Sequence, residues 1–126
     1  MTFEAEWARC APWLEAALEY DGGLNRLDDV LDAVLAGEAH FWPGQRSVIV
    51  TEFWDLKRSG GRALHCWLAG GDLGEIVEAM RPVITAFARE QGCTRITITG
   101  RSGWARSLKV DGFRQVCVGM SKELNA

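Results

Sequence analysis

The stretch RALHCWLAGGDLGEIVEAMRPVITAFAREQGCTRITITGRSGWARSLKVDGFRQVCVGMSKEL, Arg62 to Leu124, decides the fold. Its order is strand, Gly-Gly turn, long helix, strand, short helix, Gly-Phe and strand. Arg62–Ala69 alternates as a strand does, with Ala63, His65 and Trp67 on one face and Leu64, Cys66 and Leu68 on the other. Asp72–Gln91 reads as a helix. Asp72 suits the N-cap, Glu75 completes a capping-box pattern, and Ile76, Met80, Val83, Ile84 and Phe87 form one apolar stripe. Pro82 predicts a kink, because a proline inside a helix removes a hydrogen bond. Gly92 ends the helix, and Thr94–Thr99 has strong β-propensity. A strand–helix–strand crossover of this length makes the two strands parallel and is right-handed. Gly103–Val110 reads as a short helix and Phe113–Glu123 as a last strand.

Upstream, Phe3–Tyr20 carries Trp7, Cys10, Ala11, Leu14, Ala17 and Leu18 at helical spacing, and Asp21-Gly22-Gly23 stops it. Leu24–Leu35 reads as a second helix, with Leu24, Leu27, Leu31, Val34 and Leu35 on one stripe, closed by Gly37. Ala39–Trp42 and Arg46–Leu56 read as strands, the first closed by Pro43-Gly44. Lys57–Gly61 is a hairpin turn into Arg62–Ala69. These three strands form an antiparallel meander. The expected architecture is α/β, a mixed sheet in one domain over residues 1–126.

The composition is that of a soluble globular chain: 126 residues, 48% hydrophobic and 25% charged, with a formal net charge of -3. An acidic balance gives no general attraction to nucleic acid or anionic membrane. No apolar run approaches the roughly 20 residues that span a bilayer, and MTFEAEWARC lacks the apolar core of a signal peptide. The reading is cytoplasmic. Cys10, Cys66, Cys93 and Cys117 are far apart and form no Cys-x-x-Cys pair, so reduced, mostly buried thiols are expected and no metal site. Six tryptophans are many for this length. Those left exposed would mark a contact surface.

The element order resembles the GNAT superfamily, the N-acetyltransferases related to Gcn5, over about residues 3–124. Gly112-Phe113, within LKVDGFRQVCVGMSKEL, resembles the family's closing Gly-Phe and strand. The family's first strand is absent or shrunken. GCTRITITGRSGWARSLKVDGF resembles small phage-encoded GNAT-like proteins related to podovirus internal virion or morphogenesis proteins, on Arg101, Gly103, Trp104, Arg106, Leu108, Gly112 and Phe113. Acetyl-CoA-binding members carry a Gln/Arg-x-x-Gly-x-Gly/Ala loop whose N–H groups hold the pyrophosphate. Aligned on Gly74, this chain has Ala69 at the Gln/Arg position and Asp72 at the first Gly. The resemblance thus implies Leu68, Ala69, Gly70, Gly71 and Gly74 as cofactor-binding residues only if acyl-CoA binds. The family's frequent general acid, a Tyr in the last helix, falls on Leu108, and the chain's one tyrosine is Tyr20.

Glu52, mid-strand in VIVTEFW, is a candidate base for removing a proton from an amine, directly or through water. The competing reading is a solvated or ion-paired strand residue. His65 is a second candidate base, against a core histidine with satisfied nitrogens. Arg101, Trp104 and Arg106, just past a strand end, have the composition of a ligand or partner contact, against a solvated helix face. These residues suit two functions. One is a GNAT-fold phage or prophage accessory that binds a protein partner in virion morphogenesis or host interaction, in the host cytoplasm or virion, with no cofactor expected. The other is an acyl-CoA-dependent N-acetyltransferase with a divergent loop, whose cofactor is acetyl-CoA.

Overall fold

The computed structural model describes residues 2–21, 23–99, 108–109, 112–114, 116, 120–122 and 124. Helices α1 (Phe3–Leu18) and α2 (Leu27–Leu35) come first. Strands β1 (Ala39–Pro43), β2 (Ser47–Asp55) and β3 (Arg62–Gly71) form the antiparallel meander. A helix comes next in three pieces: α3 (Leu73–Glu75), a π segment (Ile76–Met80) and α4 (Arg81–Glu90). Strand β4 (Arg95–Ile98) then joins the sheet parallel to β3, giving the order β1-β2-β3-β4. The mixed sheet is therefore the one the sequence predicts. The expected helix Gly103–Val110 lies largely outside the described residues. In the expected last strand, Phe113, Arg114, Val116, Met120, Ser121 and Lys122 are described and are not in a strand.

Local chemistry sets the helix ends. The Thr2 hydroxyl accepts from the Ala5 N–H at 3.1 Å and starts α1. Helix α2 starts three residues later than its apolar pattern predicts. The Asp21 carboxylate ties down the Leu24 N–H at 2.8 Å and the Asn25 amide at 3.0 Å. These bonds hold the chain in a turn until the Asp29 carboxylate accepts the Arg26 N–H. Leu24 and Leu35 are consequently exposed, and Val30 is the fully buried residue of α2.

Pro82 acts through the π segment rather than through a simple kink. The Arg81 N–H donates to the Ile76 carbonyl, five residues back. Pro82 has no N–H to offer the next carbonyl, Val77. The Arg81 Nε supplies that bond instead, at 3.2 Å. The extra residue in the turn rotates the helix beyond it. Ile76, Ile84 and Ala88 are buried, whereas Val83, expected in the apolar stripe, faces solvent.

Two cores lie on opposite faces of the sheet. On one face Cys10, Leu14 and Leu18 of α1 and Val30 of α2 pack on Ala39, Val48, Val50 and Leu68. On the other, Ile76, Ile84 and Ala88 pack on Ile49 and Leu64. Burial of a side chain such as Leu14 or Leu64 contributes about 1.5–3 kcal/mol. A β-bulge lets β3 serve both. Val50 pairs with Leu68 but Thr51 pairs with Cys66, so Trp67 is an extra residue in β3. Alternation breaks there. Leu64 and Cys66 face α4, yet Leu68 joins Trp67 on the α1 face and Ala69 returns to the α4 face. The strict alternation expected for Leu64, Cys66 and Leu68 is thereby corrected.

Past the bulge, α1 lies directly on β3. A Cβ on Gly70 would stand 2.6 Å from the Trp13 carbonyl oxygen, a backbone atom that cannot swing away. Gly70→Ala is expected to lower stability by roughly 1–3 kcal/mol, the usual range for overpacking. Urea unfolding measures it, and an unchanged midpoint would contradict this close approach.

Candidate functional site

The strand-to-helix turn after β3 has one connecting residue, Asp72. Its carboxylate caps the helix, accepting from the Glu75 N–H at 3.3 Å, as the sequence predicts. Its own N–H donates to the Arg46 carbonyl at 2.9 Å. Arg46 closes on the same turn with its side chain, Nε standing 3.1 Å from Asp72 and Nη2 3.6 Å from Glu75. Glu75 is the buried member of the group, its side chain 8% exposed. It accepts the Arg46 N–H at 2.9 Å and the Ser47 hydroxyl. The Ser47 hydroxyl and Arg46 N–H hold the Glu75 carboxyl below its usual range, and the Arg46 side chain and the Glu75 N–H do the same for Asp72. Arg9 ties α1 to this region through the Gly44 and Gln45 carbonyls, and pairs within α1 with Glu6 at 2.6 Å. A groove of about 970 Å3 lies over the turn. Glu6, Asp72, Glu75 and Glu78 line it against two cations, Arg9 and Arg46.

The residues implied for a cofactor occupy structural positions. Leu68 is buried under α1, Gly70 meets the Trp13 carbonyl, and Gly71, at φ +97, lies so close to the Arg46 carbonyl that a Cβ would overlap it. Gly74 comes just after the Asp72 cap. Ala69 borders an apolar cavity of about 50 Å3 under the sheet, with Cys66, Ile96 and Ile98. Burial pushes the Cys66 thiol up to about 12, so it stays protonated at neutral pH. Strand β3 pairs with β4 only over Ala63–Cys66. Residues Trp67–Gly71 run on with no strand on that side among the described residues.

Glu52 and His65 are brought together. They are partners across β2 and β3. The Trp54 indole N–H donates to the Glu52 carboxylate at 2.8 Å. The same indole stacks on the His65 ring, centroids 3.7 Å apart and planes at 17°. His65 is 3% exposed. Its Nδ1 lies 2.8 Å from the Thr97 hydroxyl and its Nε2 3.0 Å from the Thr99 hydroxyl. A neutral ring donates to one hydroxyl and accepts from the other, so both nitrogens are engaged. Glu52 remains the half-buried, reachable group. Arg101, Trp104 and Arg106 lie outside the described residues. Among the described residues, no three His, Cys, Asp or Glu side chains are grouped to hold a metal, and no helix is long and apolar enough to cross a membrane.

Sequence reasoning missed Arg46, Ser47 and Trp54. Nothing local marks Arg46 or Ser47, because Glu75 reaches them only through the fold. Thr97 and Thr99 were legible as two hydroxyls on one face of TRITIT.

Burial sets a pH dependence. The His65 imidazole is pushed down to about 4, from the usual 6.5. As pH falls below 6.5 the unfolded chain takes up a proton that native His65 refuses, so stability declines until about pH 4 and then levels. The loss totals about 3 kcal/mol at most. His40 is also shifted down by burial and acts in the same sense. Asp72 and Glu75 act lower, their contribution present above the usual carboxylate range and lost as pH falls through their depressed values. Urea unfolding of the wild type and His65→Gln from pH 7 to 4 is expected to show the steeper decline in the wild type. Parallel curves would contradict a neutral, buried His65.

No family model matches the sequence, and no curated protein matches it. Solved structures do. A probable acetyltransferase superposes with a TM-score of 0.65 at 13% identity, over 100% of this chain and 95% of that one. A Trypanosoma brucei acetyltransferase gives 0.57 at 16% identity, over 90% of this chain and 94% of that one. Glucosamine-6-phosphate N-acetyltransferase from Arabidopsis thaliana gives 0.52 at 13% identity, over 64% of this chain, which spans 58% of that enzyme. The resemblance to phage-encoded proteins finds no support in these comparisons. At these identities the likeness is one of architecture: the chain has the GNAT acyltransferase fold.

Proposed function

We propose that the protein transfers an acyl group from a thioester to an amine. The observation that carries the reading is the run of β3 past its last pair with β4. Among the described residues, Trp67–Gly71 has no strand on its β4 side and an apolar cavity beside it, and Glu52 lies on the neighbouring strand opposite His65, two residues before that stretch and on the α1 face of the sheet. The acetyltransferase neighbours support the same reading. An extended amide-bearing arm adds to such an edge as a strand would. Glu52 takes a proton from the acceptor ammonium, and the free amine attacks the thioester carbonyl. The new C–N bond forms and the C–S bond breaks; the second proton of the attacking nitrogen passes through water to the leaving thiolate, and Glu52 releases the first to solvent. Trp54 holds the Glu52 carboxylate, and His65 is the platform under Trp54. Its occupied nitrogens and lowered proton affinity suit support rather than proton transfer.

Acetyl-CoA fits this chain at one end only. The β3 edge suits its thioester arm. The turn, filled by Asp72 and Glu75, does not suit its diphosphate. That mismatch favours a second reading, a GNAT-fold accessory that binds a protein partner without catalysis, with Arg101, Trp104 and Arg106 as the contact.

The test offers acetyl-pantetheine and acetyl-CoA with a panel of amines (a polyamine, a lysine peptide, an amino sugar), and acetylated amine is followed by mass spectrometry. At least one pair is expected to react. Glu52→Gln is expected to lower kcat by roughly 10²–10⁴-fold with little change in donor KM. If no amine is acetylated and neither donor raises the melting temperature, the acyltransferase reading fails and the binding reading stands.

A further inference from the structure

We infer that the donor is a pantetheine thioester presented without a nucleotide diphosphate, and that the Asp72–Glu75 turn selects against acetyl-CoA. This rests on the acyl-transfer reading above. A diphosphate at a strand-to-helix turn needs free backbone N–H groups and positive charge. Here two of the turn's N–H groups and both nearby cations are already engaged, and carboxylates fill the space. Asp72 is the only residue between the end of β3 and the start of α3. Its N–H is given to the Arg46 carbonyl, and the Glu75 N–H to the Asp72 carboxylate. The cations are also engaged, Arg9 with Glu6 and Arg46 with Asp72 and Glu75.

The filling is built into the packing. Glu75 is bonded by the Ser47 hydroxyl and the Arg46 N–H. Its carboxylate occupies the space a Cβ would take at Gly44. Vacating the turn for a phosphate would leave the Arg46 N–H without its acceptor and the Ser47 hydroxyl with only the Met80 sulfur. Glu78 adds a further carboxylate to the groove wall. An incoming diphosphate would meet four carboxylates and two committed guanidinium groups. An uncharged pantetheine arm meets none of this. Its two amides suit a strand edge such as Trp67–Gly71, which has no paired strand on that side among the described residues.

Affinities of acetyl-pantetheine, acetyl-dephospho-CoA and acetyl-CoA are measured on the intact protein by calorimetry at low and high salt. Acetyl-pantetheine is expected to bind at least roughly tenfold more tightly than either nucleotide donor at low salt, with the gap narrowing as salt screens the groove. Asp72→Asn/Glu75→Gln is expected to improve acetyl-CoA binding about tenfold and leave acetyl-pantetheine unchanged. If that variant fails to fold, the wild-type salt dependence carries the test alone. An acetylated carrier protein is run beside the free thioester, since both present the same arm, and preference for either over acetyl-CoA supports the inference. Tighter binding of acetyl-CoA than of acetyl-pantetheine overturns it while leaving acyl transfer intact. Failure of every donor, with no amine acetylated, overturns both.

Discussion

The extra residue at Trp67 governs how this sheet is used. Without it, Leu68 would lie on the same face as Leu64 and Cys66. The core under α1 would lose Leu68, which is buried in one cluster with Leu14, Val48 and Val50. With it, β3 gives its first half to the α4 side and part of its second half to the α1 side. The bulge also adjoins the place where pairing to β4 stops, at Cys66 and Ile98. Among the described residues, the stretch of β3 without a partner on the β4 side thus begins at the device that lets one strand serve two cores.

The second constraint is the turn at Asp72. Arg46 reaches it with its carbonyl, its N–H and its guanidinium, and Glu75 accepts two bonds from the Arg46 backbone and the Ser47 hydroxyl. The β1–β2 hairpin and the helix start thus hold each other. A helix N-terminus with unsatisfied donors attracts anions. Here side-chain carboxylates are those anions. The turn uses them as an internal tie between the hairpin and the helix.

Much of the architecture was legible before the structure. Asp72 at the cap, the antiparallel meander and the parallel β3–β4 pair arise from local patterns, because capping and crossover length act over a few residues. What was not legible arises from inserted residues and distant partners. The apolar spacing of MRPVITAF does not announce a π segment, so the exposure of Val83 could not be read. Nothing in RALHCWLAGG marks Trp67 as the extra residue. The candidate site divides in the same way. Glu52 and His65 are visible as polar residues inside strands, but their adjacency is a matter of register. The tie from Arg46 to Glu75 spans 29 positions and only the folded sheet brings it about.

The Glu52 region carries the last physical distinction. A buried histidine can be a reagent or a support, and the hydrogen bonds decide which. A proton carrier needs one nitrogen open to its partner and a proton affinity near the working pH. His65 has a threonine hydroxyl on each nitrogen and an affinity lowered by burial. Its flat face is used by Trp54. Trp54 in turn gives its single donor to Glu52. Order therefore passes from Thr97 and Thr99 through the imidazole and the indole to one carboxylate. Among the described residues, the Glu52 carboxylate is thus fixed in direction by a neutral donor and has no ion pair. At the Asp72 turn the condition is the opposite, with Arg46 beside both carboxylates.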